Sequence, residues 1–170
     1  MHRDSEFQSP PPRRTGALAI IRNEMKGVLL VQKSYRNGEW GLPGGLAHAD
    51  EYPHRAWMRE VGEETGIYMT PGRLLVVDCM PRNEETGSKE GTNFVFDGGT
   101  VPSDTEIRLP DPAPGESEPE LTDYRFTPLH ELGRFVAPYT ERRIRAAVAV
   151  LESDDAHAAY LVEGRPVVSS

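Results

Sequence analysis

The chain has 170 residues, 37% of them apolar, and a formal charge of −8. That length suits one domain with a sizeable core and some length to spare. An acidic balance repels nucleic-acid backbone and anionic membrane surfaces, which argues against both as partners, but a bound divalent cation would reverse the field for a small phosphorylated substrate.

Residues 1–14 read as a flexible leader: the stretch is polar, contains Pro10-Pro11-Pro12 and lacks the apolar run of a signal peptide. The domain is expected over 15–170. Gly16–Arg22 and Gly27–Lys33 read as two strands joined by the polar turn Asn23–Lys26, a hairpin. Trp40-Gly41-Leu42-Pro43-Gly44-Gly45 carries too much glycine and proline for a helix and reads as a specialised extended segment. A helix follows, with Pro53 in its first turn, Ala56, Trp57, Met58, Val61 and Thr65 facing inward, and Gly66 as its stop. Arg73–Met80 and Thr92–Phe96 read as strands, joined by the polar loop 81–91. Cys79, the single cysteine, excludes an internal disulfide and reads as a small buried side chain. Gly98–Pro119 is a long acidic loop with one short strand expected at Ile107-Arg108-Leu109. Tyr124–Thr127 reads as a strand, Leu129–Leu132 as a helical turn and Pro138–Leu151 as a helix on the spacing of Ile144, Val148 and Leu151. Ala158–Val168 reads as a hairpin turning at Glu163-Gly164. The order predicts an α+β domain, helices layered on a central mixed sheet. No run approaches the roughly 18 apolar residues of a membrane span, and the cytoplasm is the expected location.

The stretch Gly45–Ile67 carries the chemistry. Glu60, Glu63 and Glu64 stand at i, i+3 and i+4 of one helix and share a face. Three carboxylates there repel one another, at a few tenths of a kcal/mol per pair. A solvated helix face accommodates such a set, and so does a hard divalent cation. Mg2+ takes oxygen ligands and keeps open positions for phosphate oxygens. The glycine turn before the helix lets backbone approach a ligand closely. The full pattern is Gly45, Glu51 and Arg59-Glu60-Val61-Gly62-Glu63-Glu64-Thr65-Gly66-Ile67. Its seven identities, each at roughly 6–7% background, give a chance frequency on the order of 10⁻⁸ to 10⁻⁹ per start.

This stretch resembles the Nudix box in full, and Trp40-Gly41-Leu42-Pro43-Gly44 resembles the segment that leads into it. The resemblance implies a Nudix-like α/β/α sandwich and metal-dependent hydrolysis of a pyrophosphate bond in a nucleoside diphosphate linked to another moiety. Nucleotide sugars, ADP-ribose, dinucleotides and modified nucleoside triphosphates are the substrate classes it offers, and the expected partner is a small nucleotide rather than a nucleic-acid polymer. It also implies Mg2+, with Mn2+ as a substitute, held by Glu60, Glu63, Glu64 and the Gly44 carbonyl, with one glutamate handling the attacking water. Arg59 resembles the arginine that fixes the carboxylates, Glu51 its structural partner, and a homodimer is a common assembly among relatives. Three positions depart from the common pattern: Trp57 for a small residue, Asp50 for a glycine and His48 for an acidic residue.

Outside the box, Arg82, Asn83 and Lys89 are candidates for substrate binding through phosphate or sugar. Glu106, Glu116, Glu118 and Glu120 are candidates for a further base or ligand, set against a solvated acidic loop. Trp40, Phe94, Phe96 and Tyr139 are candidates for base stacking, set against ordinary core packing. His130 and His157 lack metal spacing. Two other function classes remain beside the hydrolase: a nucleotide-sensing Nudix-like regulatory module without turnover, and an isomerase on the same scaffold. Such sensors often lose box residues, whereas this box is complete.

Overall fold

A computed structural model describes residues 8–154 and 156–167. The first seven residues of the expected leader and Val168 of the expected hairpin lie outside the described residues. Nine strands form one mixed sheet: β1 (Arg14–Asn23), β2 (Val28–Lys33), β3 (Trp40–Gly41), β4 (Gly44–Leu46), β5 (Leu74–Met80), β6 (Gly91–Val101), β7 (Leu121–Thr127), β8 (Ala159–Val162) and β9 (Arg165–Pro166). Among the described residues the named helices are α1 (Pro53–Thr65) and α2 (Pro138–Glu152), with 3₁₀ turns at Arg36–Gly38 and Leu129–Arg134. β1 opens at Arg14, the last residue of the expected leader. No helix among the described residues is long and apolar enough to cross a membrane.

The sheet order is β3-β2-β1-β6-β5-β8-β9, with β4 also on β1 and β7 also on β2. β1 and β6 run parallel, as do β5 and β8. The hairpin of β1 and β2 closes at Asn23–Gly27, yet the strands pair only at Arg22 and Val28 and then diverge. The glycine–proline segment fills the gap between them. Trp40 and Gly41 pair with Gln32 and Val31, Gly44–Leu46 pair with Leu18–Gly16, and the Pro43 carbonyl accepts the Ala19 N–H at 2.9 Å between those two contacts. A segment with too little helix propensity to do anything else therefore becomes a wedge in a split sheet.

Alternation along β1 covers both faces. Ala17, Ala19 and Ile21 point to α1, where they meet Leu29, Ala56, Trp57, Val61 and Ile107. Leu18 and Ile20 point to α2, with Leu30, Leu42, Leu75, Val95, Ile144 and Val148. Helix, sheet and helix thus form the three layers the sequence predicts. Trp57, unusual at its position in the box, is fully buried. Gly98 makes room for it: a Cβ there would stand 2.5 Å from Ile21 Cγ1 and 3.3 Å from the Trp57 ring.

Several expectations change. Ile107-Arg108-Leu109 is not a strand. Ile107 is buried in the α1 layer, and the Arg108 N–H is spent on the Thr65 carbonyl at 2.9 Å, capping α1 instead of extending a ladder. β6 runs on to Val101 because β1 continues alongside it past a bulge at Ile20–Arg22. β7 starts three residues earlier than read, paired with β2 throughout. Tyr52 is the N-cap of α1, without a side-chain bond, and Asp50, which stands for a glycine in the box, takes the left-handed φ of 61° that suits one. Cys79 is half-buried, its sulfur 3.7 Å from the Tyr160 hydroxyl.

A buried ion pair ties α2 to the far end of the sheet. Arg143 Nε donates to Asp78 Oδ2 at 2.6 Å, and the Gly164 N–H of the last hairpin donates to Asp78 Oδ1 at 3.0 Å. Removing one partner of such a pair strands the other charge. Asp78→Ala is expected to lower unfolding free energy by about 3–5 kcal/mol in a urea titration, with much of the loss recovered in the double variant Asp78→Leu/Arg143→Met.

Candidate active site

α1 lies across the wedge, and two of its carboxylates touch the wedge backbone. Glu64 is 4% exposed, and its Oε2 accepts the Gly44 N–H at 2.6 Å. Gly44 holds φ 121°, and a Cβ on it would stand 2.1 Å from the Ala17 carbonyl oxygen, so only glycine brings the backbone this close to β1. Gly45 serves Glu60 in the same way, because a Cβ there would lie 2.5 Å from the Glu60 carboxyl carbon. Gly44 is needed for conformation as well as approach, and Gly45 for approach.

Arg59 organises the mouth. Its Nε and Nη2 donate to Glu51 Oε1 and Oε2 at 3.0 and 2.8 Å, a two-pronged contact. Nη1 donates to Glu60 Oε1 at 2.7 Å and stands 3.6 Å from Glu63 Oε2, while Nη2 also reaches the Leu46 carbonyl at 3.0 Å. Glu51 takes the His48 N–H as well, at 2.9 Å. The Arg59 hydrogen bonds, followed by the His48 N–H, hold the Glu51 carboxyl down at about 2, and the Glu51 bond in turn raises Arg59 above its ordinary value.

Glu64 goes the other way. Burial pushes its carboxyl up to about 8, against the Gly44 N–H and the Lys33 charge, which pull it down. An isolated buried carboxylate is costly, and it neutralises unless a positive charge meets it. Among the described residues, no three acidic, imidazole or thiol groups already converge as a finished metal cage. Glu60 and Glu63 lean on Arg59 and Glu64 on Gly44 N–H. The donor set is nonetheless oxygen throughout, on one helix face, with a buried carboxylate that forms no ion pair within 4 Å among the described residues. Those properties fit a hard divalent ion.

The long acidic loop returns to this face through its last residue. The Glu120 carbonyl accepts the Ser34 N–H at 2.9 Å, and Glu120 Oε1 accepts the Tyr35 hydroxyl at 3.3 Å. Glu116, Glu118 and Glu120 line a cleft of about 550 Å³ with Ser34 and Tyr35. Lys33 and Tyr35 escaped the sequence reading; the polar end of an otherwise apolar β2 was their only signal. Glu106 lies in the same loop outside that lining. Arg82, Asn83 and Lys89 sit in the turn between β5 and β6. Arg82 pairs with Glu84 at 2.6 Å, Asn83 bridges to Ser88, and the Lys89 carbonyl holds Arg14. Among the described residues, no hydrogen bond or ion pair links these three to Arg59 or the glutamates. Of the aromatic candidates, Trp40 packs edge-on against Phe135 at 6.0 Å, and the Tyr139 hydroxyl donates to Glu39 at 3.3 Å. Phe94 and Phe96 lie in β6, Phe96 against the α1 layer.

The chain is similar in sequence and fold to known proteins. A MutT-like protein of Streptomyces ambofaciens is 40% identical over 77 residues, which are 45% of this chain and 49% of that protein, so the chain spans about half the length of this relative. An RNA pyrophosphohydrolase of Rhizobium meliloti is 29% identical over 125 residues, 65% of this chain and 71% of that protein. The crystal structure of a MutT protein from Methanosarcina mazei Go1 superimposes with a TM-score of 0.67 at 28% identity, over 85% of this chain and 99% of that one. The family model described as the NUDIX domain matches residues 12–155. With the box intact and the model spanning most of its length, the chain belongs to the NUDIX domain family.

Proposed function

We propose that the chain is a divalent-metal-dependent hydrolase that cleaves the pyrophosphate bond of a nucleoside diphosphate linked to a further group. The observation that carries this reading is the set Glu60, Glu63 and Glu64 on one face of α1, with Glu64 and Glu60 set against the backbone of Gly44 and Gly45. The Rhizobium relative, by name a pyrophosphohydrolase, supports the bond. The chain's charge of −8 supports a small substrate over an RNA end.

Glu60, Glu63 and Glu64, with the Gly44 backbone, would hold the cation. Mg2+ suits them and Mn2+ shares the oxygen preference. When bound, the ion supplies charge neutralisation for the diphosphate and activation of water. The remaining work belongs to the chain. Arg59 orients Glu60 and steadies Glu63, and Glu51 keeps the guanidinium in plane. Glu64 keeps its proton at neutral pH until a positive charge displaces it, and then presents a basic carboxylate against the Gly44 N–H.

The test is a phosphate-release screen with Mg2+ over ADP-ribose, nucleotide sugars, dinucleotides and nucleoside triphosphates. One class is expected to be hydrolysed, and Glu63→Gln or Glu64→Gln to slow it by at least about a hundredfold with the melting temperature retained. Silence across the panel, with nucleotide still bound, would transfer the chain to the sensing class.

Arg59→Lys keeps the charge and loses the fork. Its expected signature is a fall in kcat of about tenfold or more, with the pH of half-protonation at Glu51 moving up toward 4.5 in carboxyl NMR, its ordinary value.

The third expectation concerns pH. A folded-state value raised from 4.5 to about 8 means that the metal-free fold binds a proton the unfolded chain has released. Stability from Glu64 is therefore greatest below 4.5 and is lost as pH rises through 8. Glu51, held at about 2, stays ionised across that window. The metal-free melting temperature is expected to fall from pH 5 to pH 8.5, with a shallower fall in Glu64→Gln. Added Mg2+ should raise it more at the higher pH. Equal slopes in the two proteins would sink the assignment.

A further inference from the structure

Lys33 ends β2 on the same face as α1. Alternation sets this: Leu29 packs into the α1 layer, and Val31 and Lys33 follow at steps of two. The ammonium donates to the Tyr35 hydroxyl at 3.2 Å and lies 5.4 Å from the centre of the Tyr35 ring. That hydroxyl donates onward to Glu120 Oε1. The backbone secures the same meeting point. β7 carries one extra residue, Thr122, between the pairs Gln32–Asp123 and Lys33–Leu121. A bulge of this kind re-aims the chain beside it, and here it returns Glu120 to Ser34 and Tyr35.

Two further facts bear on Lys33. Among the described residues it makes no ion pair within 4 Å; its hydrogen-bond partner is a neutral phenol, leaving two of three ammonium donors for something else. Among the described residues, Arg59 is the cation that touches the α1 carboxylates, and it is already committed to Glu51, Glu60 and the Leu46 carbonyl. A diphosphate approaching Glu60, Glu63 and Glu64 meets carboxylates on α1 and more on the loop, so a held cation with spare donors is the group able to receive its oxygens. Lys33 is close enough to Glu64 for its charge to act there.

We propose that Lys33 binds a phosphoryl oxygen of the diphosphate, and that Tyr35 and Glu120 are positioning residues that hold its ammonium over the α1 carboxylates. The proposal rests on the hydrolase reading for the identity of the ligand but not for its own test. Inorganic pyrophosphate is the probe, titrated calorimetrically into the full chain with and without Mg2+. Lys33→Met is expected to weaken its binding about ten- to a hundredfold, with Lys33→Gln as a second variant should the first fold poorly, and Lys33→Arg to restore most of it. Tyr35→Phe should weaken binding less. On any substrate found in the screen it should raise KM with little change in kcat and none in melting temperature, a split that a purely structural role would not produce. Equal affinity in wild type, Lys33→Met and Lys33→Gln overturns the proposal, and so does failure of the wild type to bind pyrophosphate under either condition. If pyrophosphate binding depends on Lys33 while no substrate is turned over, the hydrolase reading falls and the Lys33 site stands. If turnover occurs and depends on Glu63 but binding ignores Lys33, the reverse holds.

Discussion

The contact between Glu64 and the Gly44 N–H joins the two parts of this protein that matter to each other. One is the helix that carries the carboxylates, and the other is the wedge that fills the split sheet. A carboxylate this deeply buried, with one short bond to backbone, is a poor stabiliser on its own, because burial favours its neutral form. It makes sense as half of an arrangement whose other half is positive. Around it, each neighbour is constrained in turn. Gly44 has no alternative to glycine against Ala17, a side chain at Gly45 would push the Glu60 carboxylate aside, and Arg59 is fixed from three sides before any ligand arrives.

The contrast between Glu51 and Glu64 shows how one helix and its leading loop make two kinds of carboxylate from one residue type. Glu51, at the rim, accepts two guanidinium bonds and a backbone N–H and stays ionised far into acid. Glu64, a few turns along, is surrounded by the α1 layer and answers mainly to burial. The difference comes from surroundings, the rim of the leading loop for Glu51 and the buried side of α1 for Glu64, and not from chain chemistry. The same helix is also a core element. Ala56, Trp57 and Val61 are fully buried beside the carboxylates, so the packing of α1 also holds the carboxylates in place.

Much of this was legible in the residues. The carboxylate spacing, the glycine pair, Pro53 and Gly66 locate α1 and its chemistry, and the alternation of β1 and β2 locates the sheet. What escaped is what depends on distant chain segments meeting. Nothing local marks Ile107 as a core residue of the α1 layer, since a lone isoleucine in an acidic loop has no period to read. The Arg108 N–H on Thr65 is equally silent in sequence. Lys33 and Tyr35 became visible only once the extra residue in β7 had brought Glu120 back to them. Arg82, Asn83 and Lys89 were singled out for their chemistry alone, and their turn is engaged with Glu84, Ser88 and Arg14. Trp57 could be flagged as unusual from its neighbours in the box, but the space that admits it belongs to Gly98, forty-one residues away.

The divergence of β1 and β2 has a metric consequence. Lys33 belongs to β2, and Gly44 is anchored to β1, yet the two strands share a ladder only at Arg22 and Val28. The spacing between them at the open end is set instead by what spans the gap, Leu42 and Pro43, which link the segment paired to β2 with the segment paired to β1. Leu42 is sealed into the α2 layer, and the Pro43 carbonyl is bonded to Ala19. This dipeptide therefore acts as a gauge block: its length fixes the aperture between two jaws, Lys33 on β2 and, on β1, Gly44 with the Glu64 carboxylate that α1 rests on it. Lengthening the chain at the turn before Trp40 would leave that aperture alone, whereas one residue inserted between Gly41 and Gly44 would put the two jaws out of register.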